Sequence, residues 1–229
     1  MRLILFCIAI FSFGLAHARD SEEWTLLYDE QGVSVFENKS AVFPQYKATG
    51  RLNLNFYDVV AVMSDIPRRI EWVENLSEIK VLEGDTLSHI LVYNRFDLPW
   101  PAADRDSIVE ALIVVDSPAK TAEIHFKSQN ETSIHEYPGV VRVKTVLGIT
   151  RLKYIDENTT EVSDQILMDP GGYLPKWIAK IFIEDVPVHT LSALKKQVQK
   201  TRGQYEDYIA RIKLQTDIRA QPFKGEVKK

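Results

Sequence analysis

Few side chains in this sequence could act on a substrate, and the ones that could are scattered. The histidines are His17, His89, His125, His135 and His189. His125 alternates with Ile124 and Phe126, which places it on the solvent side of a strand. His135 lies in a turn-rich stretch, His89 opens a strand, and His189 follows Pro187 in a helical segment. Acid–base catalysis needs a matched donor and acceptor in one pocket, and no spacing here assembles such a pair. The HExxH, GxSxG, P-loop and dinucleotide-binding patterns do not occur. Cys7 is the only cysteine and sits in an apolar stretch at the N-terminus. The rest of the chain therefore has no thiolate nucleophile, thiolate metal site or disulfide. No cofactor motif is found. What remains are side chains able to offer one hydrogen bond each to a ligand hydroxyl or headgroup: Tyr93, Thr145 and Gln165.

These three lie on segments that read as strands. His89, Leu91, Tyr93 and Arg95 alternate with Ile90, Val92, Asn94 and Phe96. Thr145, Leu147 and Ile149 share a face, as do Ser163, Gln165 and Leu167. Period two does not say which face turns inward. Nine strands are expected: 25–28, 33–37, 45–54, 77–82, 87–96, 105–115, 122–128, 140–155 and 160–168. Turn residues separate them, such as Asp29-Glu30-Gln31-Gly32, Pro138-Gly139 and Asp156-Glu157-Asn158. Close succession with tight turns implies antiparallel pairing, since parallel neighbours need crossovers.

Two helical segments interrupt or follow the strands. Phe56, Val59, Val60 and Met63 form an apolar stripe at helical spacing, with Asn55 able to cap it. After Gly171-Gly172, a second stripe runs through Trp177, Ile178, Ile181 and Phe182, then Val188, Leu191 and Leu194. Pro187 should kink or split that helix, because it lacks an N–H and clashes with the preceding turn. The fold class expected is α+β: a curved antiparallel sheet of eight to nine strands wrapped around a long C-terminal helix. Such a sheet must cover its apolar face, and the long helix is the only element large enough to do so. A hollow between them would suit a ligand.

The N-terminus reads as an address. Arg2, the apolar run Leu3–Leu15 and Ala16-His17-Ala18 form a secretory signal over residues 1–18, cleaved after Ala18. A mature chain without cysteine fits a bacterial periplasm. Residues 19–213 form one domain, with a basic tail over 214–229. Residues 19–175 carry a net charge of −11 and residues 176–229 a net charge of +6. The acidic body argues against nucleic acid. The basic C-terminal piece suits transient contact with anionic lipid headgroups, and nothing points to an oligomer rather than a monomer.

Three motifs carry a resemblance. Asp97-Leu98-Pro99-Trp100-Pro101-Ala102-Ala103-Asp104-Arg105-Asp106 is similar to the PWP…DRD signature of the StAR-related lipid-transfer (START) family. Trp72 resembles the tryptophan that follows the family's short helices. Asp169-Pro170-Gly171-Gly172-Tyr173-Leu174-Pro175-Lys176-Trp177 resembles its entry into the C-terminal helix, and the later Asp185-Val186-Pro187 is also similar to the family. The resemblance covers about residues 22–210. It implies a helix-grip fold that binds a lipid or sterol-like molecule in an internal tunnel, without catalysis or cofactor.

By that resemblance Trp100 stands at the tunnel mouth, with Asp104, Arg105 and Asp106 as loop anchors. The resemblance makes Trp177, Ile178, Ile181, Phe182, Val188, Leu191 and Leu194 the ligand-facing lid, while strand alternation alone offers Tyr93, Thr145, Leu147 and Gln165 as tunnel residues. Some family members carry a buried base about six positions past the arginine of DRD; here Ala111 holds that place. Related helix-grip proteins include cyclases and aromatases, so an enzyme on a hydrophobic substrate in the same cavity is the alternative. A third reading is a partner-binding groove for an apolar peptide.

Overall fold

A computed structural model of the chain describes residues 24–39, 41, 43–84, 88–129 and 134–214. The expected leader lies outside the described residues, and so does the tail beyond Leu214. The strands are β1 (Trp24–Glu30), β2 (Val33–Asn38), β3 (Gln45–Leu52), β4 (Leu76–Gly84), β5 (His89–Phe96), β6 (Asp104–Asp116), β7 (Thr121–Ser128), β8 (Val140–Arg142), β9 (Thr145–Asp156) and β10 (Thr159–Asp169). The helices are α1 (Phe56–Ser64), a 3-10 turn at Ile66–Glu71, α2 (Lys176–Lys200) and α3 (Glu206–Leu214).

Local chemistry accounts for the boundaries. β1 and β2 are joined by Gln31 and Gly32, with φ of 52° and 78°. Two successive positive φ values make the turn whose twist matches that of a hairpin. The Asn55 side chain accepts the Tyr57 N–H at 3.0 Å and caps α1. Pro67 stands at the start of the 3-10 turn.

The sheet is curved, open and antiparallel, in the order β1-β2-β3-β10-β9-β7-β6-β5-β4. One expected strand, 140–155, is divided at Val143 and Lys144. Its first three residues form β8, which pairs parallel with the start of β6 (Asp104–Asp106) instead of continuing into β9.

Pairing register assigns the faces. Leu52, Val162, Leu152, Ala122, Ile124, Val109, Ala111, Ile113, Ile90 and Val92 point to one side and join a buried cluster with α1 and with Leu194 and Val198 of α2. That side is the concave face, and α2 crosses it with its closest backbone approaches to β2, β3 and α1. Leu191 packs directly on Gly50, where a Cβ would lie 2.8 Å from the leucine methyl.

Of the two outcomes expected at Pro187, the split does not occur: α2 runs from Lys176 to Lys200 with the proline inside it. The proline removes one hydrogen bond to the preceding turn while the turns on either side continue. After α2, an unexpected short helix, α3, buries Ile212 in the core.

Candidate functional site

The concave face is packed at one end only. Along β10, Val162 is buried, but Asp164, Ile166 and Met168 keep accessible surface. Along β9, Leu152 and Thr150 are buried and Gly148 is half-buried. Ala48 and Tyr46 on β3, Phe126 on β7, and Asn94 and Phe96 on β5 continue the partly open rows. β9 and β10 are central strands, so this exposure is not that of a sheet edge. The Phe126 ring lies over Gly148, where a Cβ would come within 2.3 Å of it. On the helix side Ile178 is fully buried, and Ile181, Val188 and Leu191 are half-buried.

Charged groups sit where the packed core gives way. Asp164 accepts the Thr150 hydroxyl at 2.6 Å, and burial pushes its carboxyl up. Arg69, from the 3-10 turn, donates one Nη–H to the Met63 carbonyl at 3.2 Å. Its Nε–H is buried with no acceptor among the described residues, and the same holds for the Trp72 indole N–H. Burial holds the Arg69 pKa below its usual value, while the Asp164 charge opposes that shift. A buried donor without a partner forfeits on the order of 1–3 kcal/mol. The inner face thus combines an apolar wall with a raised acid, and Arg69, whose Nε–H has no acceptor among the described residues, lies close to that acid.

Sequence reasoning missed Arg69 and Asp164. Asp164 had a signal, since it interrupts the inward row Val162, Ile166, Met168 with a charge.

The three polar residues picked from the sequence lie elsewhere. Register puts Tyr93, Thr145, Leu147 and Gln165 on the outer face of the sheet. Leu147 is 52% exposed there. Tyr93 is buried on that outer side, beside Tyr137 at 6.3 Å between ring centroids. Burial, with the Asp106 carboxylate close by, raises the pKa of its hydroxyl. These four are therefore not wall residues. A hydrogen-bonding side chain on an alternating strand fits either face equally well.

No histidine described stands on the concave wall. His89 pairs with Glu110 and His125 with Glu123 on the outer face. His189 meets Glu74 at 2.9 Å in an exposed pair.

At the open end, Asp104, Arg105 and Asp106 hold three different segments. Asp104 binds Arg95 at 2.5 Å and accepts the Leu98 N–H at 3.2 Å; the Arg95 contact holds its carboxyl below the usual range. Asp106 forms a two-pronged pair with Arg142 of β8, at 2.7 and 3.0 Å. Arg105 reaches inward to the loop that leads into α2. Around these anchors stand exposed aromatics: Trp100 at 88%, Tyr173 at 76% and Trp177 at 51%. Trp100 therefore faces solvent rather than lining the interior. The Phe182 side chain lies outside the described residues. Among the described residues no acidic or histidine cluster suits a metal ion, and no helix is long and apolar enough to cross a membrane.

Comparison with known proteins gives the same architecture. The family model of the START domain matches residues 15–203. A Pseudomonas aeruginosa relative, itself uncharacterized, is 27% identical over 87% of this chain and 98% of its own. The crystal structure of a StAR-related lipid transfer protein fragment from Xanthomonas axonopodis superposes with a TM-score of 0.65. It is 22% identical and covers 77% of this chain and 98% of its own. Human StAR-related lipid transfer protein 5 gives 0.68 at 19% identity, over 80% and 89%. An aromatase/cyclase from Streptomyces gives 0.50 at 12% identity, over 70% and 96%. The helix-grip arrangement expected from the sequence is the one found. With more than half of its length matched by the family model, the chain belongs to the START domain family.

Proposed function

We propose that the protein binds one lipid or sterol-like molecule between the concave face and α2, and carries it between membranes as a monomer without catalysis. The observation that carries this reading is the accessible surface that the inner wall keeps on its central strands. Apolar side chains of central strands keep accessible surface there, near a buried Arg69 Nε–H that has no acceptor among the described residues. An acyl chain or fused ring would cover the apolar wall, worth about 25 cal/mol per Å² removed from water. Its polar end would supply an acceptor to Arg69 and meet the Asp164 carboxyl and Thr150 hydroxyl. Membership of the START family supports a hydrophobic ligand.

The enzyme reading has one point in its favour, the raised Asp164 acid. It lacks a partner base on the inner wall: His89, His125 and His189 pair with carboxylates elsewhere, and His135 is exposed. The proposed setting is the bacterial periplasm, reached through the leader at residues 1–18.

Native mass spectrometry of protein exported by a bacterial host tests all of this together. The expected result is a chain lacking residues 1–18 with one lipid-sized adduct. After delipidation, the protein should take up one molecule from a membrane lipid extract and release it unchanged. Delipidated protein that takes up nothing from the extract would overturn the carrier reading, and a modified product would favour the enzyme.

A further inference from the structure

Arg105 is the most heavily used cation at the open end, and its partners are all backbone carbonyls. Its Nη1 donates to Ala103, at the end of the loop between β5 and β6. Its Nη2 donates to Gly171 at 3.0 Å and Tyr173 at 3.1 Å, and its Nε to Pro170 at 3.4 Å, all in the loop before α2. The side chain is buried, with 6% of the residue exposed. The flanking acids are engaged elsewhere, Asp104 with Arg95 and Asp106 with Arg142.

The seat of this group is rigid. Gly171 and Gly172 have φ of 61° and 56°, and a Cβ on either would lie 3.2 Å from Val141. Val141 belongs to β8, which is itself paired with Asp104–Asp106. The two loops joined in this way carry Trp100 and Tyr173, both exposed, and the second loop leads directly into α2. The far half of α2 is fixed separately. Gln197 and Lys200 bind Glu71 at 3.0 and 2.9 Å, and Glu71 in turn holds Arg68.

We propose that Arg105 is the latch of the ligand site's mouth, a positioning residue whose one guanidinium ties the loop before β6 to the loop before α2. The near end of α2 then lifts only when these carbonyl bonds break together. A planar fork with five N–H groups can serve both loops at once. A lysine keeps the charge but presents one nitrogen, so it cannot hold four carbonyls spread over two segments. Because the inference rests on the carrier reading, its test separates the two.

In the full mature chain, Arg105→Lys is compared with wild type for uptake and release of an NBD-labelled fatty acid, by stopped-flow fluorescence. The expected result is a rise of about tenfold in both the association and dissociation rates, reflecting lost charge-assisted bonds, with Kd changed by less than about threefold. Loss of a merely structural contact would weaken binding through dissociation alone, and that result overturns the latch.

Hydrogen exchange on the wild-type chain is the second measurement and needs no variant. Amides of residues 98–103 and 170–175 should open with one common rate, and independent opening overturns the proposal. If wild-type protein takes up neither this probe nor lipid from a membrane extract, the carrier reading fails, and hydrogen exchange alone decides the latch.

Discussion

At the residue scale, the inner wall's behaviour turns on Arg69 and Asp164. Arg69 carries an N–H with no acceptor among the described residues, so Arg69→Met should lower affinity for lipids with a polar acceptor by roughly tenfold to a hundredfold, the cost of one buried hydrogen bond. Binding of a purely hydrocarbon fluorophore should barely change. Titration of both ligands by fluorescence checks this, and equal losses for the two would refute a headgroup role. Asp164 works in the opposite sense. Its folded pKa is raised, so the native state holds its proton more tightly than the unfolded chain does. That contribution favours folding at low pH and turns into a penalty as pH rises through the folded pKa. Asp164→Asn should therefore raise Tm by a few degrees at pH 7, on the scale of roughly 2–4 °C per kcal/mol, and the gain should vanish near pH 4. Thermal unfolding across that range would show a constant offset if the acid were not the cause. Neither residue emerged from the sequence as a site. Arg69 lies in a polar run, Pro67-Arg68-Arg69, that reads as surface, and only the tertiary fold turns one arginine outward to Glu71 and its neighbour inward.

At the element scale, most strands were readable because half-buried antiparallel strands alternate, and the exceptions mark where pairing overrides pattern. Nothing in Val140-Val141-Arg142-Val143-Lys144 announces a break, since its alternation continues into β9. The break exists because β6 is long enough to pair with β7 and, at its first residues, with β8. Face assignment failed on β5, β9 and β10 for the same reason: parity is fixed by partners, not by the strand itself. Gly148 shows how closely the partners fit. On β9 it leaves room for the Phe126 ring of β7, and an added Cβ would also meet the Gln165 carbonyl at 2.8 Å. Gly148→Ala should cost about 1–3 kcal/mol by overpacking, measurable by urea unfolding. Trimming the ring in Phe126→Leu should recover part of that loss, because the two changes share one space. Additive losses in the double variant would mean that the backbone carbonyl, not the ring, sets the clash.

At the scale of the whole molecule, exposed aromatics and two lysines gather at one end. Residues 19–175 are net negative and residues 176–229 net positive. The first turns of α2 place exposed Lys176 and Lys180 beside Trp177, with Tyr173 just before them and Trp100 on the loop that shares Arg105. In the proposed membrane contact Lys176 and Lys180 would meet anionic headgroups, with the mouth forward. Each basic group near such a surface contributes on the order of 1 kcal/mol, decaying within a Debye length. The aromatic rings have apolar faces suited to the headgroup layer. Trp100→Ala with Tyr173→Ala should therefore reduce partitioning onto vesicles of mixed phosphatidylcholine and phosphatidylglycerol by roughly tenfold or more, by the area rule for buried aromatic surface. Lys176→Gln with Lys180→Gln should instead flatten the salt dependence while leaving binding at high salt nearly unchanged. Neither pair touches the inner wall's polar groups, so affinity for a soluble short-chain lipid should hold. Vesicle flotation and ligand titration on the same variants separate the two outcomes. Loss of ligand affinity without loss of vesicle binding would place these aromatics inside the site rather than at its membrane face.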